Sequence, residues 1–499
     1  MLRRAVLLLL AVALTADAQF ASPSAQPTAV AVPKALPDSL ARWVDSIFAP
    51  YSSVRTPGCA VGVTDHGALV FTKGYGSADL EHETPITADT RFYIASLSKQ
   101  FTAMSIVLLA QEHKLSLDDP IQKWVPEVPS FGVTITLNHL LHHTSGLRDY
   151  FTLLAVSGWP MDGLLTEAQF LNLVAHQKSL NFQPGEEFLY SNTGYALLSI
   201  VVRRASGQSL RDFAAARIFT PLGMTHTEFR DDHTELIPER ALGYQPEGTS
   251  FRISQPQFDV VGDGGVYSTV GDLAKWDANF QSFAVGGASS IAMLQEPGRL
   301  NDSTTIPYAL ALSVGQYRGL NTFSHGGAYG GYRSTLLQFP EKKLSVITLC
   351  NTAAAAPALA EEVGGVFLGL VAERASLAAS SLSTSLFAAG TDVTPADSIG
   401  PRRRADQVSR MAGSYYSDEL ELPVTLTARD GSLILQRPRA EDIRFAMVSD
   451  DLFTNSDKML LRVLRDSQGV VTGFSLTVNR VRDLEFLRRE AGPSNERRH

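Results

Sequence analysis

Ser96-Leu97-Ser98-Lys99 opens a stretch, Leu97 to His113, with almost no helix breaker and with apolar residues at Phe101, Met104, Ile106, Val107, Leu108 and Leu109. Such a run reads as a buried helix, with Ser96 at its N-terminus. The free backbone N–H groups and the positive dipole end there stabilise negative charge on or near the serine oxygen. Lys99 follows one turn along on the same face. A serine hydroxyl is a poor nucleophile until something takes its proton. A buried lysine, its pKa lowered by desolvation, can do that. Of the ten lysines, only Lys99 has a serine three residues before it. The plainer alternative is a helix cap beside a solvated lysine, and the serine and lysine counts predict about one S-x-x-K by chance.

Two further elements shift that balance. Tyr190-Ser191-Asn192 is the only Y-x-N among 14 tyrosines. His325-Gly326-Gly327 is the only H-G-G, and it opens a β region in which Arg333 to Phe339 and then Leu344 to Cys350 read as strands. Other hydrolase signatures are missing: there is no G-x-S-x-G, no H-E-x-x-H, no G-x-x-x-x-G-K-[ST] and no C-x-x-C. The histidines have no ligand spacing, so neither a metal nor another cofactor is expected.

With these three motifs in order, the sequence resembles the serine β-lactamase and penicillin-binding-protein superfamily. The branch it is similar to includes class C β-lactamases, D-Ala-D-Ala carboxypeptidases, D-aminopeptidases and related esterases. The resemblance runs from about Leu36 to Ala375. It takes in Pro57-Gly58-Cys59-Ala60-Val61-Gly62-Val63, Phe92 to Gln100, Leu115 to Pro120, His143-Thr144-Ser145-Gly146-Leu147 and Gly264 to Thr269. It implies a mixed α/β fold: a five-stranded antiparallel sheet flanked by helices, with an inserted helical subdomain. It also implies that Ser96 forms an acyl-enzyme and that Lys99 and Tyr190 share the proton work. Asn192 would hold the substrate amide or Lys99 itself. The backbone N–H groups of Ser96 and Ala328 would form the oxyanion hole, and the His325-Gly326-Gly327 strand would line the substrate. Cys59 and Cys350 fall on strands that the family's sheet places side by side, which leaves a disulfide or two buried thiols.

The departure lies at the third motif. His325 stands where β-lactamases and carboxypeptidases usually carry lysine, and an unperturbed histidine is charged only part of the time at neutral pH. This fits the family's D-aminopeptidases and esterases better. The expected function is hydrolysis of a small ester, amide or D-residue-containing peptide. The alternatives are a β-lactamase or D-Ala-D-Ala carboxypeptidase, and a penicillin-binding sensor or binding module that never turns over. His143 reads as a turn residue. Thr269 with Asp272 reads as a capping box for the helix containing Trp276.

Further out, the chain has 499 residues, 44% hydrophobic and 19% charged, with a formal net charge of −8. Intrinsic disorder as the main state is excluded, and the length asks for more than one folding unit. The acidic balance argues against a nucleic-acid footprint, and two cysteines exclude a disulfide-built scaffold. Arg3 and Arg4, the apolar run Ala5 to Leu14 and Ala16-Asp17-Ala18 read as a signal peptide over residues 1–18, cleaved near Ala18. The product would be exported, periplasmic or secreted, with no membrane span and a formal charge of −9. Residues 19–36 read as an Ala/Pro-rich tether. Residues 37–375 read as the hydrolase unit and residues 376–405, where 14 of the 25 residues from Ser376 to Gly400 are Ser, Ala or Thr, as a linker. Residues 406–490 alternate as strands, with Asp430-Gly431 as a hairpin signal, and predict a small antiparallel β domain, sheet or barrel.

Overall fold

The fold is taken from a computed structural model, which describes residues 38–370, 401–438 and 440–489. The helices used below are α1 (Asp38–Phe48), α2 (Lys99–Gln111), α3 (Tyr150–Ser157), α4 (Asn192–Ser206), α5 (Val270–Ser282), α6 (Ala356–Phe367) and α7 (Pro401–Met411). The central sheet is built from β1 (Cys59–Asp65), β2 (Ala68–Tyr75), β3 (Ser313–Tyr317), β4 (Leu320–Tyr329), β5 (Tyr332–Phe339) and β6 (Leu344–Cys350).

Strand β1 shows how the layers form. Successive side chains of a strand point to opposite faces. Cys59, Val61 and Val63 join Val44, Ile47 and Phe48 of α1 and Val363 of α6 in one apolar cluster. Thr64, on the other face, donates from Oγ1 to Asp277 of α5 at 2.7 Å. Gly62 shares that face, and a Cβ there would lie 2.2 Å from Val270 Cγ1. Glycine therefore lets α5 lie close against the sheet. Asp277 also accepts from Gln338 Nε2 at 2.8 Å and Ser345 Oγ at 2.7 Å, which ties α5 to three strands.

The sheet has six antiparallel strands in the order β3-β4-β5-β6-β1-β2, one more than the five expected. The extra member is one of the outer strands. Short β3 pairs with Leu320–Ser324 of β4 and, among the described residues, leaves the rest of β4 without a strand on that side. Cys59 sits opposite Cys350 in the β1–β6 register, and the two are joined by a disulfide.

Helix α2 is buried from Lys99 to Leu109, as expected of a helix that is apolar all round. It begins at Lys99, because a 3₁₀ turn over Ala95–Ser98 precedes it. At α5 the Thr269 side chain caps the Asp272 N–H at 3.1 Å, but the return half of the expected box is missing. The Asp272 carboxylate is taken instead by His226 N, Thr227 Oγ1 and Lys275 Nζ.

The C-terminal strands β7 (Gly413–Ser417), β8 (Leu422–Arg429), β9 (Ser432–Gln436), β10 (Ile443–Ser449), β11 (Leu452–Thr454), β12 (Leu460–Arg465), β13 (Val471–Val478) and β14 (Val481–Arg488) close into an antiparallel barrel. Alternate residues such as Val424, Leu426, Leu433, Leu435, Phe474 and Leu476 form its core. Leu153 and Val156 of α3 belong to the same cluster, so the barrel packs on the helical layer. Helix α7 overlaps the expected linker: Pro401 to Ala405 are helical. Proline is favoured in a first helical turn, and the arginines after it are good helix formers. The signal peptide, the tether and the remainder of the linker lie outside the described residues. Among the described residues, no helix is long and apolar enough to cross a membrane.

Candidate active site

Ser96 sits in a backbone corner. The strand Phe92–Tyr93 ends at Ile94, and Ala95 takes φ +48°, a left-handed conformation uncommon outside glycine. Such strain persists only where surrounding bonds hold it. Here Ile94 N–H donates to Val266 O at 2.9 Å, and Ile94 O accepts from Leu97 N–H and from Ser334 Oγ. The corner leaves Ser96 half-buried at the mouth of α2 while its neighbours Leu97 and Ser98 are buried.

Lys99 is fully buried, and its Nζ has three partners. They are Ser96 Oγ at 3.1 Å, Asn192 Oδ1 at 2.8 Å and the Asp263 carbonyl oxygen at 2.6 Å. Asn192 Oδ1 and the carbonyl oxygen can only accept, so in the neutral amine both N–H bonds are committed to them and the lone pair faces the serine. Burial pulls the Lys99 pKa down to about 7; Arg480 adds to the drop, while Asp263 and Asp149 oppose it.

Asn192 is held in one orientation by Asp149, the N-cap of α3. Asp149 Oδ2 accepts from Asn192 N at 2.7 Å and from Asn192 Nδ2 at 2.8 Å, which turns Oδ1 toward Lys99. Lys99 Nζ lies 4.9 Å from the centre of the Tyr190 ring. Burial raises the Tyr190 hydroxyl pKa, and a hydrogen bond from Ser96 and the Arg480 charge counteract this. The Asp263 carboxyl, beside Tyr150 Oη at 3.0 Å, is also pushed upward by burial.

His325 closes a polar chain. Ser191 N–H donates to His143 Nδ1 at 3.1 Å, which leaves the His143 proton on Nε2. That nitrogen meets Tyr308 Oη at 3.2 Å, and Tyr308 Oη meets His325 Nε2 at 3.0 Å. His325 Nδ1 donates to Gly326 O at 2.7 Å. With each donor matched to an acceptor, both imidazoles are neutral and their tautomers follow from the partners. Burial, helped by the Lys99 charge, lowers the His325 pKa to about 3. The partial charge expected for it at neutral pH is therefore absent. His143 has φ +58°, in keeping with a turn, and its ring also packs 4.1 Å from that of Tyr190.

Gly327 governs how near β4 comes to the serine. A Cβ there would lie 2.1 Å from Ile94 O and 2.4 Å from Ser334 Oγ. Gly326 and Ala328, flanking it, are exposed. The structure thus gathers Ser96, Lys99, Tyr190, Asn192 and the His325–Ala328 strand in one place. Sequence reasoning passed over Asp149, Asp263, Tyr308 and Arg480. Asp149, just before an apolar run, carried a readable cap signal. Arg480 carried none, since it arrives from the barrel.

Comparison with known proteins now places the chain. A family model described as Beta-lactamase matches residues 42–367. The chain belongs to the beta-lactamase family. It is 32% identical over 306 residues to penicillin-binding protein 4* of Bacillus subtilis, covering 57% of this chain and 66% of that protein. It is 28% identical over 404 residues to a D-aminopeptidase of Brucella anthropi, covering 79% of this chain and 76% of that protein. Among solved structures, an octameric penicillin-binding protein homologue from Pyrococcus abyssi shares the fold with a TM-score of 0.58 and 23% identity, over 91% of this chain and 99% of that one. A penicillin-binding protein from Bacillus halodurans gives a TM-score of 0.57 and 27% identity, over 67% of this chain and all of that one. The Pyrococcus abyssi match is long enough to take in the barrel of this beta-lactamase-family chain as well as its catalytic unit.

Proposed function

We propose that this chain is an exported serine hydrolase that forms an acyl-enzyme on Ser96 and cleaves amides or short peptides bearing a D-residue, as its D-aminopeptidase relatives do by name. The observation that carries the reading is the Lys99 amine, 3.1 Å from Ser96 Oγ with its other two partners fixed. Ser96 Oγ attacks the substrate carbonyl as its proton passes to neutral Lys99. The N–H groups of Ser96 and Ala328 steady the oxyanion, where one lost donor commonly costs about 10²-fold or more. As the tetrahedral adduct collapses, the Lys99 proton passes through Tyr190 to the departing amine. Water then attacks the acyl-enzyme as Tyr190 and Lys99 take its proton, and Ser96 is regenerated on collapse. A neutral His325 in place of a lysine favours a substrate without a carboxylate at that point.

The test is labelling with a fluorophosphonate, followed by turnover of an ester, a D-aminoacyl p-nitroanilide and a chromogenic β-lactam. Wild type should label and Ser96→Ala should not, with the D-amide turned over fastest. Equal labelling of both proteins removes the nucleophile. Faster β-lactam hydrolysis moves the substrate to the penicillin-type class that the Bacillus relative's name suggests. Export rests on the Arg3–Ala18 pattern, and a chain recovered from the cytoplasm with Met1 intact argues against it.

A further inference from the structure

The turn between β13 and β14 carries Asn479 and Arg480 out of the barrel and into the catalytic unit. Asn479 adopts φ +49°, which tightens the turn. Arg480 O accepts from Asn181 Nδ2 at 2.9 Å, and Asn181 Oδ1 accepts from Arg482 N–H at 2.8 Å, so the turn is pinned at two points. The Arg480 side chain is 9% exposed, with Nη1 3.6 Å from Asp149 Oδ2. Its Cζ lies 4.7 Å from the centre of the Tyr190 ring.

The site presents an electrostatic problem. Lys99 must be neutral to accept the serine proton, yet a tyrosine that handles protons needs positive charge nearby. Lys99 cannot supply both at once. The strand that carries lysine in the β-lactamases and carboxypeptidases this sequence resembles has a neutral His325 here. We propose that Arg480, delivered by the barrel, is the positioning residue that supplies the permanent positive charge behind Tyr190 and holds Asp149 in register. Arginine keeps its charge at any working pH. Through Asp149 it also steadies Asn192, and so Lys99. This rests on the reading of Ser96, Lys99 and Tyr190 as the reacting group.

The charged and ionisable groups around Tyr190 come from several elements: Lys99 of α2, His143 and Asp149 ahead of α3, Asp263 and Tyr308 of separate segments, and His325 of β4. Arg480 favours neutral Lys99 and ionised Tyr190, so its loss moves the acidic limb of reactivity upward. The experiment measures the rate of Ser96 labelling by a fluorophosphonate from pH 5 to 9, in the full chain, for wild type, Arg480→Lys, Arg480→Met and Arg480→Gln. Arg480→Met and Arg480→Gln should shift the limb to higher pH by about one unit or more, as loss of a charge at this range does. Arg480→Lys should keep it near its wild-type position. Arg480→Gln, which keeps a donor for Asp149, carries the same expectation if Arg480→Met does not fold. Limbs that superimpose for all four proteins overturn the proposal, and so does an equal fall in rate for all three variants with the limb unmoved. Labelling reports on Arg480 whatever amide is preferred, so failure of the substrate reading is told apart from failure of this one.

Discussion

Arg148, just ahead of α3, and Glu419, between the first two strands of the barrel, form a buried ion pair across the join of the two units, with side chains 0% and 5% exposed. Arg148 also donates to Ser179 Oγ and to the carbonyls of Arg482 and Asp483. Removing one partner strands a buried charge, which costs about 3–5 kcal/mol. Glu419→Leu and Arg148→Met should each lower the urea midpoint strongly, and the double variant should recover part of the loss. A double variant as unstable as the two single losses added would remove the coupling.

With Lys99 working as the neutral amine, as proposed, activity should rise with pH through about 7, the region to which its pKa is drawn down. His325, lowered to about 3, adds no inflection between pH 5 and 8. A kcat/KM profile of His325→Gln should therefore keep the wild-type limb. If the limb disappears in that variant, the titrating group is the histidine and the lysine assignment fails.

Tyr308→Phe removes the hydroxyl that links His143 to His325. A buried N–H and a buried ring nitrogen then lose their partners, at a cost of about 1–3 kcal/mol. Equilibrium urea unfolding measures it, and an unchanged midpoint would falsify the chain of hydrogen bonds.

Gly327→Ala tests the close approach of β4. With a Cβ due 2.1 Å from Ile94 O, the strand must move away from the serine corner. If the oxyanion pocket lies between them, kcat should fall by about 10²-fold or more with the circular dichroism spectrum preserved. Wild-type kcat in a folded variant places the pocket elsewhere.

The legible part of the molecule was the part written in short-range pattern. Ser96 to Lys99, the α2 run and the Asp430-Gly431 hairpin depend on neighbours a few residues apart; the hairpin turn forms as expected, and the helix forms but begins at Lys99 rather than Leu97. Tyr190 and Asn192 were legible through resemblance, since 91 residues separate Tyr190 from Lys99. The state of His325 was not legible, because its neutrality comes from burial and from Tyr308, which lies on a separate segment. Asp263 contributes a backbone carbonyl to Lys99, a role to which side-chain identity is blind. Arg480 comes from beyond the linker, and only the packing of the barrel brings it to Tyr190.

The bond between Cys59 and Cys350 spans a sequence separation of 291 residues, and Ser96, Lys99, Tyr190, Asn192 and His325 all fall inside that span. The catalytic chain is thus a covalent ring. One cut by a protease in any surface loop of the ring opens it without releasing a fragment, so a nicked molecule keeps its mass on a non-reducing gel and separates into two pieces only after a thiol is added. A single nick of that kind leaves Ser96, Lys99, Tyr190, Asn192 and His325 on one covalently joined molecule.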